Sequence, residues 1–179
     1  MNASIGIADA AATLRRAFDG VFAEAPRVES RLFVNLLLLR AGDAAYALRL
    51  SDIAGLHRGL RISRLPSPTP MLLGISAFRG GIVPVYDLRA LLGHVPAADA
   101  RWVVLAGQAP AFGLAFDEFE GQVRVPSEAI APADRPGAAQ GLVREMARVD
   151  QRVRSILHMP SVIETVGRQI DRATTREEQ

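Results

Sequence analysis

The sequence contains no cysteine and no lysine. Without cysteine there is no disulfide frame, no thiolate metal site and no sulfur nucleophile, and the absence fits a reducing compartment. Without lysine every basic side chain is an arginine. The formal net charge is only +2, so the isoelectric point near 9.9 reflects a small imbalance rather than a basic patch. Arg15-Arg16 is the only adjacent basic pair, and no electrostatic footprint for nucleic acid emerges. No apolar run approaches the ~20 residues of a membrane-spanning helix. The opening MNASIGIADAAATL lacks the charged and apolar regions of a secretory signal, and Asp9, Asp19 and Glu24 interrupt any acid-poor transit pattern. The expectation is a cytoplasmic protein with no direct membrane insertion.

Catalytic vocabulary is equally sparse. His57, His94 and His158 are the only histidines, each isolated and without metal-ligand spacing. His158 reads as a strand-end residue and His94 as a loop residue. No dinucleotide or Walker-type glycine loop occurs. Gly80-Gly81 precedes a strand, so it cannot present a helix N-terminus to phosphate. Asp117, Glu118 and Glu120 form a carboxylate cluster that could do acid–base work. Acidic residues between strands are ordinary, however, and the cluster reads as a turn. A small β-barrel enzyme would have to rest on these three residues alone. The expectation is a binding module: no enzyme, no cofactor, no metal.

What is present is apolar content, 49% over 179 residues, enough for one domain with a real core. Residues 7–25 carry helical periodicity, with Ile7, Ala11, Leu14, Phe18, Val21, Phe22 and Ala25 along one face, and Pro26 ends it. That helix either packs on its own domain or offers a sticky face to a partner or a second copy. From Arg31 the period changes. RLFVNLLLLR and Ala45–Leu50 read as strands around an Ala41-Gly42-Asp43 turn, and Ser51 is placed to cap a helical turn over Asp52–Gly55. His57–Leu65 alternates as a strand with one wet face, and Pro66, Pro68 and Pro70 impose an irregular loop. Arg101–Ala106 and Ala111–Phe116 form a hairpin around residues 107–110, and Phe119–Val125 alternates again. Residues 127–140 read as a long loop. Leu142–Val149 and Arg152–Leu157 flank an Asp150-Gln151 turn. Pro160 starts a short helix with Val162, Ile163, Val166 and Ile170 inward, and residues 171–179 read as a disordered, solvated tail. The organisation is a helical extension (1–30), a domain (31–170) and the tail. Nine or ten short strands with little helix between them indicate an all-β sandwich or barrel, a choice that pattern alone does not make.

The stretch on which the chain is organised is Gly74–Gly93. Ile75–Phe78 and Ile82–Tyr86 flank Arg79-Gly80-Gly81, whose glycine pair can take the positive φ of a tight hairpin turn. Asp87 is placed to cap a helical turn, Leu88–Leu92, closed by Gly93. Arg79 stands at the lip of the turn, either hydrating the loop, bridging to a carboxylate, or touching a partner.

Gly74-Ile75-Ser76-Ala77-Phe78-Arg79-Gly80 followed by Val83-Pro84-Val85-Tyr86-Asp87-Leu88 resembles the signature of the CheW-like adaptor domain. That signature runs Gly-x-x-Asn-Leu-Arg-Gly, then Val/Ile-Pro-Val-x-Asp-Leu. The resemblance extends more weakly from about Phe33 to about Val166. It implies two SH3-like five-stranded barrels packed side by side, with an N-terminal and a short C-terminal helix. It further implies a non-catalytic adaptor bridging methyl-accepting chemoreceptors and the regulatory domain of a CheA-type histidine kinase. Arg79, Phe78 and Gly80 then belong to the receptor contact, Ile53 and Gly74 to the kinase contact, and Pro84, Asp87 and Leu88 to the structural motif. Two departures stand out. Ala77 and Phe78 replace the usual Asn and Leu, and Ile53-Ala54-Gly55-Leu56 replaces Val-x-Glu-Ile. They raise an alternative, a divergent adaptor of a pilus, surface-motility or other chemosensory pathway that binds the kinase without receptors.

Overall fold

The computed structural model describes residues 32–67, 69–96, 102–106, 112–133, 139 and 141–177; the expected N-terminal helix, the turn at 107–110 and part of the 127–140 loop lie outside these. Among the described residues the elements are β1 (Phe33–Ala41), β2 (Ala44–Arg49), β3 (Ile53–Arg58), β4 (Leu72–Phe78), β5 (Gly81–Asp87), α1 (Leu88–Leu91), β6 (Trp102–Ala106), β7 (Phe112–Phe116), β8 (Glu118–Pro126), β9 (Ile130–Pro132), β10 (Val143–Val149), β11 (Arg152–Leu157) and α2 (Met159–Glu177). They form two sheets. One has the order β8-β1-β2-β11-β10-β9, the other β3-β6-β7-β5-β4.

Each sheet curls on itself. β8 passes through a 3-10 turn at Ser127–Ala129 into β9, so the two edges of the first sheet are arms of one bent strand. Its six segments therefore amount to five strands. In the second sheet, the chain beyond β3 returns to pair Ser63 with Ile75 of β4, joining the outer edges. Closure of this kind removes exposed edge. The result is the expected all-β pair of SH3-like subdomains. The second (β3–β7) is inserted between β2 and β8 of the first.

The hydrophobic pattern explains why the two subdomains are not separable beads. β1 is apolar on both faces: Leu36 and Leu38 point into the first barrel with Ala47, Val125, Ala147, Val149 and Ile156. Leu37, Leu39 and Ala41 point the other way, onto a larger cluster shared with Tyr86, Leu88, Leu91, Val104, Phe112, Leu114 and Phe116 of the second subdomain. β6 and β7 split likewise, Val103 and Ala115 facing Val85 inside their own barrel. A strand buried on both sides cannot alternate, which is why LLLL and FGLAF read as unbroken apolar runs. The largest core is thus the seam between the sheets.

Several local expectations are corrected. Ser51 caps nothing: a 3-10 turn spans Leu50–Asp52 with no side-chain cap, and Gly55 lies in β3. The strand expected over His57–Leu65 is shifted, running from Ile53 to Arg58, because its pairing with β6 begins at Ile53↔Ala106. The 127–140 loop contains the 3-10 turn and β9, which pairs with β10 from Ala147↔Ile130. The final helix continues to Glu177, through residues 171–177 that read as tail. Within it Val162 and Val166 are buried but Ile163 is 45% exposed.

Candidate functional site

The β4–β5 hairpin is built as its sequence demands, with one change of detail. Phe78 pairs with Gly81, so the two turn residues are Arg79 and Gly80 rather than the glycine pair. Both take positive φ, +46° and +82°. That is the twist-matched two-residue turn of antiparallel hairpins. Arg79 is therefore in the turn itself, not beside it.

Around that turn a small surface assembles. Ala77, Arg79, Gly80 and Gly81 are exposed and Phe78 is half-buried. The Arg79 guanidinium lies 5.1 Å from the centroid of the Phe78 ring. The Phe78 ring meets His57 of β3 edge to face at 4.8 Å. Ile82, directly across from Ala77, is 73% exposed. The surface is thus one cation bedded on an aromatic ring, rimmed by aliphatic groups. It can stack on and donate to a partner.

Sequence reading missed two members of this surface. Ile82 was visible in the alternation of GIVPVYD: Val83 and Val85 are buried, so Ile82 belongs to the wet face, where an apolar side chain stands out. His57 gave no signal, because only the curl of the barrel brings β3 against the tip of β4.

Of the motif residues expected to be structural, Asp87 and Leu88 are buried and Pro84 is half-buried. Asp87 is 1% exposed and accepts from the Arg89 backbone N–H at 2.8 Å, capping α1. Leu88 is fully buried in the seam, and Pro84 pairs with Ile75 in the hairpin. Gly93 ends α1 with φ +80°.

Gly74 lies in the last strand of the second sheet and Ile53 in the first. Gly74 is buried with φ +146°, and a Cβ there would fall 2.1 Å from the Ser63 carbonyl oxygen. Glycine is required for β4 to approach the returning chain. Ile53, half-buried against the seam, forms one wall of an open groove with Arg49, Ser51, Arg144, Met159 and Ile163.

The carboxylate cluster resolves into structural ties. Asp117 Oδ2 accepts from the Gly42 backbone N–H at 2.7 Å and from Arg89 Nε at 2.6 Å. It links the β1–β2 turn of one subdomain to α1 of the other. The bond to Asp117 holds the Arg89 guanidinium above its ordinary pKa, against the opposing effect of burial. Glu120 pairs with Arg40 and Arg154. The remaining histidines are also structural. His94 meets the Tyr46 hydroxyl at 2.8 Å. His158 caps α2, its Nδ1 accepting from the Ser161 backbone N–H at 3.3 Å. Among the described residues no three metal-ligating side chains converge, and no helix is long and apolar enough to cross a membrane.

Comparison with known proteins agrees with this picture. The family model of the CheW-like domain matches residues 35–167. A "Probable chemotaxis protein CheW" of Rhizobium etli is 26% identical over 135 residues, covering 72% of this chain and 86% of that protein. The crystal structure of the scaffolding protein TtCheW from Thermoanaerobacter tengcongensis superposes with a TM-score of 0.64 at 18% identity. It covers 71% of this chain and 90% of that one.

Proposed function

The chain belongs to the CheW-like family, and on that premise we propose that it is a non-catalytic, cytoplasmic adaptor coupling chemoreceptors to a CheA-type histidine kinase in chemotaxis-like signalling. The observation that carries the reading is the hairpin tip. Arg79, the charged residue of the signature, is exposed at that tip and bedded on Phe78. The receptor contact is assigned to Arg79, Phe78 and Gly80, joined by Ile82. A guanidinium fork flanked by apolar surface suits the side of a helical hairpin bearing carboxylates. The kinase contact is assigned to the groove at Ile53, with Gly74 setting the path of β4 in the same subdomain. Such a protein acts by geometry. Two modest interfaces on one rigid body gain strength when an array supplies high local concentration.

The test is a pair of binding measurements on Arg79→Ala. Binding to a chemoreceptor signalling fragment is expected to weaken strongly, while binding to the kinase regulatory domain and the melting temperature stay near wild type. Loss of both partners together would contradict the division of surfaces. Wild-type protein that binds the kinase domain but no receptor fragment would replace this reading with the kinase-only adaptor, the reading suggested by the missing acidic group at Gly55.

A further inference from the structure

Resting on the receptor contact proposed above, we infer that His57 is a positioning residue for Arg79: its ring, seated over Gly55, props Phe78, and Phe78 in turn holds the guanidinium at the hairpin tip. Three observations support it. His57 and Phe78 meet edge to face with centroids 4.8 Å apart. The Arg79 guanidinium sits 5.1 Å from the centroid of that same Phe78 ring. And the His57 ring lies where a side chain at position 55 would have to be, since a Cβ on Gly55 would come within 3.2 Å of Nε2. A side chain at position 55 and the His57 ring therefore compete for the same space.

Hydrogen bonding through Nε2 does not account for the position of His57. Nε2 is buried and has no hydrogen-bond partner among the described residues. A histidine kept for hydrogen bonding would not be left so, because an unmet buried donor or acceptor is costly. What the ring supplies here is its shape, packed on Phe78. An arginine on a turn of two residues would otherwise sample many rotamers, and ordering such a side chain on binding costs affinity. Stacking on an already propped ring removes part of that cost in advance.

The experiment uses the full chain with His57→Ala, His57→Phe, Gly55→Ala and Arg79→Ala. In the free protein, the Arg79 side-chain proton resonances are expected to carry a ring-current shift from Phe78. His57→Ala and Gly55→Ala should reduce that shift, and His57→Phe should keep it. Affinity for a chemoreceptor signalling fragment should fall roughly three- to tenfold in His57→Ala and Gly55→Ala. It should be rescued in His57→Phe, with kinase-domain binding unchanged throughout. Unchanged Arg79 resonances in His57→Ala overturn the inference, as does wild-type receptor affinity in that variant while Arg79→Ala binds poorly. If Arg79→Ala itself binds as wild type, the receptor contact is wrong and the inference falls with it; the two failures are distinguishable.

Discussion

Arg79 holds its backbone at φ +46°, a region that costs a side chain with a Cβ about 1 kcal/mol or more and suits asparagine or glycine. Arg79→Asn is expected to raise stability by about 0.5 kcal/mol, about 1–2 °C in a thermal melt, while weakening receptor binding. A variant that melts lower would show that the guanidinium contributes more to the fold than the turn strain costs. Gly74 is the opposite case. Gly74→Ala combines a disfavoured φ with overlap on the Ser63 carbonyl, and should cost about 2–5 kcal/mol by urea denaturation. Both residues belong to one motif, yet only the structure separates them. Glycine–arginine spacing is readable from sequence, whereas which of the two is consumed by packing depends on a chain returning from β3.

Among the elements, the β4–β5 hairpin and α1 were the most legible, because their signals are local. A turn pair, a capping Asp87 and a closing Gly93 all lie within a few residues of what they control. Asp87→Ala should destabilise by about 2 kcal/mol, since it removes a buried cap acceptor. Asp87→Asn keeps an acceptor and should cost less, a comparison a pair of denaturation curves would make. β3 was misplaced and β9 missed for the converse reason. Each is a short strand whose limits are set by distant partners, Ala106 for the start of β3 and Ala147 for the start of β9. Neither boundary is written in the neighbouring residues.

At the scale of the molecule the seam dominates. Leu114 is fully buried in the cluster shared by the two subdomains, and Leu114→Ala should cost about 2–5 kcal/mol. Because the seam belongs to both sheets, amide protection should be lost in both subdomains together; protection lost in only one would mean they unfold separately. Tyr46 and Tyr86 lie in that cluster, and burial raises the pKa of both. Their neutral forms are favoured when folded, so stability is intact below the ordinary tyrosine pKa and declines as pH rises past about 10. Unfolding in alkali should coincide with the appearance of phenolate absorbance, and Tyr86→Phe should move the transition to higher pH. The apolar runs that make the seam were plain in the sequence, but a run buried on both faces does not say which neighbour covers each face.

The insertion of one subdomain within the other also imposes an order on synthesis. Phe33 of β1 waits for Pro126 of β8, so while the ribosome is still supplying that partner, the inner barrel has all of its strands and the outer one has only two. A chain ending just after Phe116 should therefore hold every strand of the inner barrel while its seam still lacks Leu142, Leu157, Met159, Val162 and Val166.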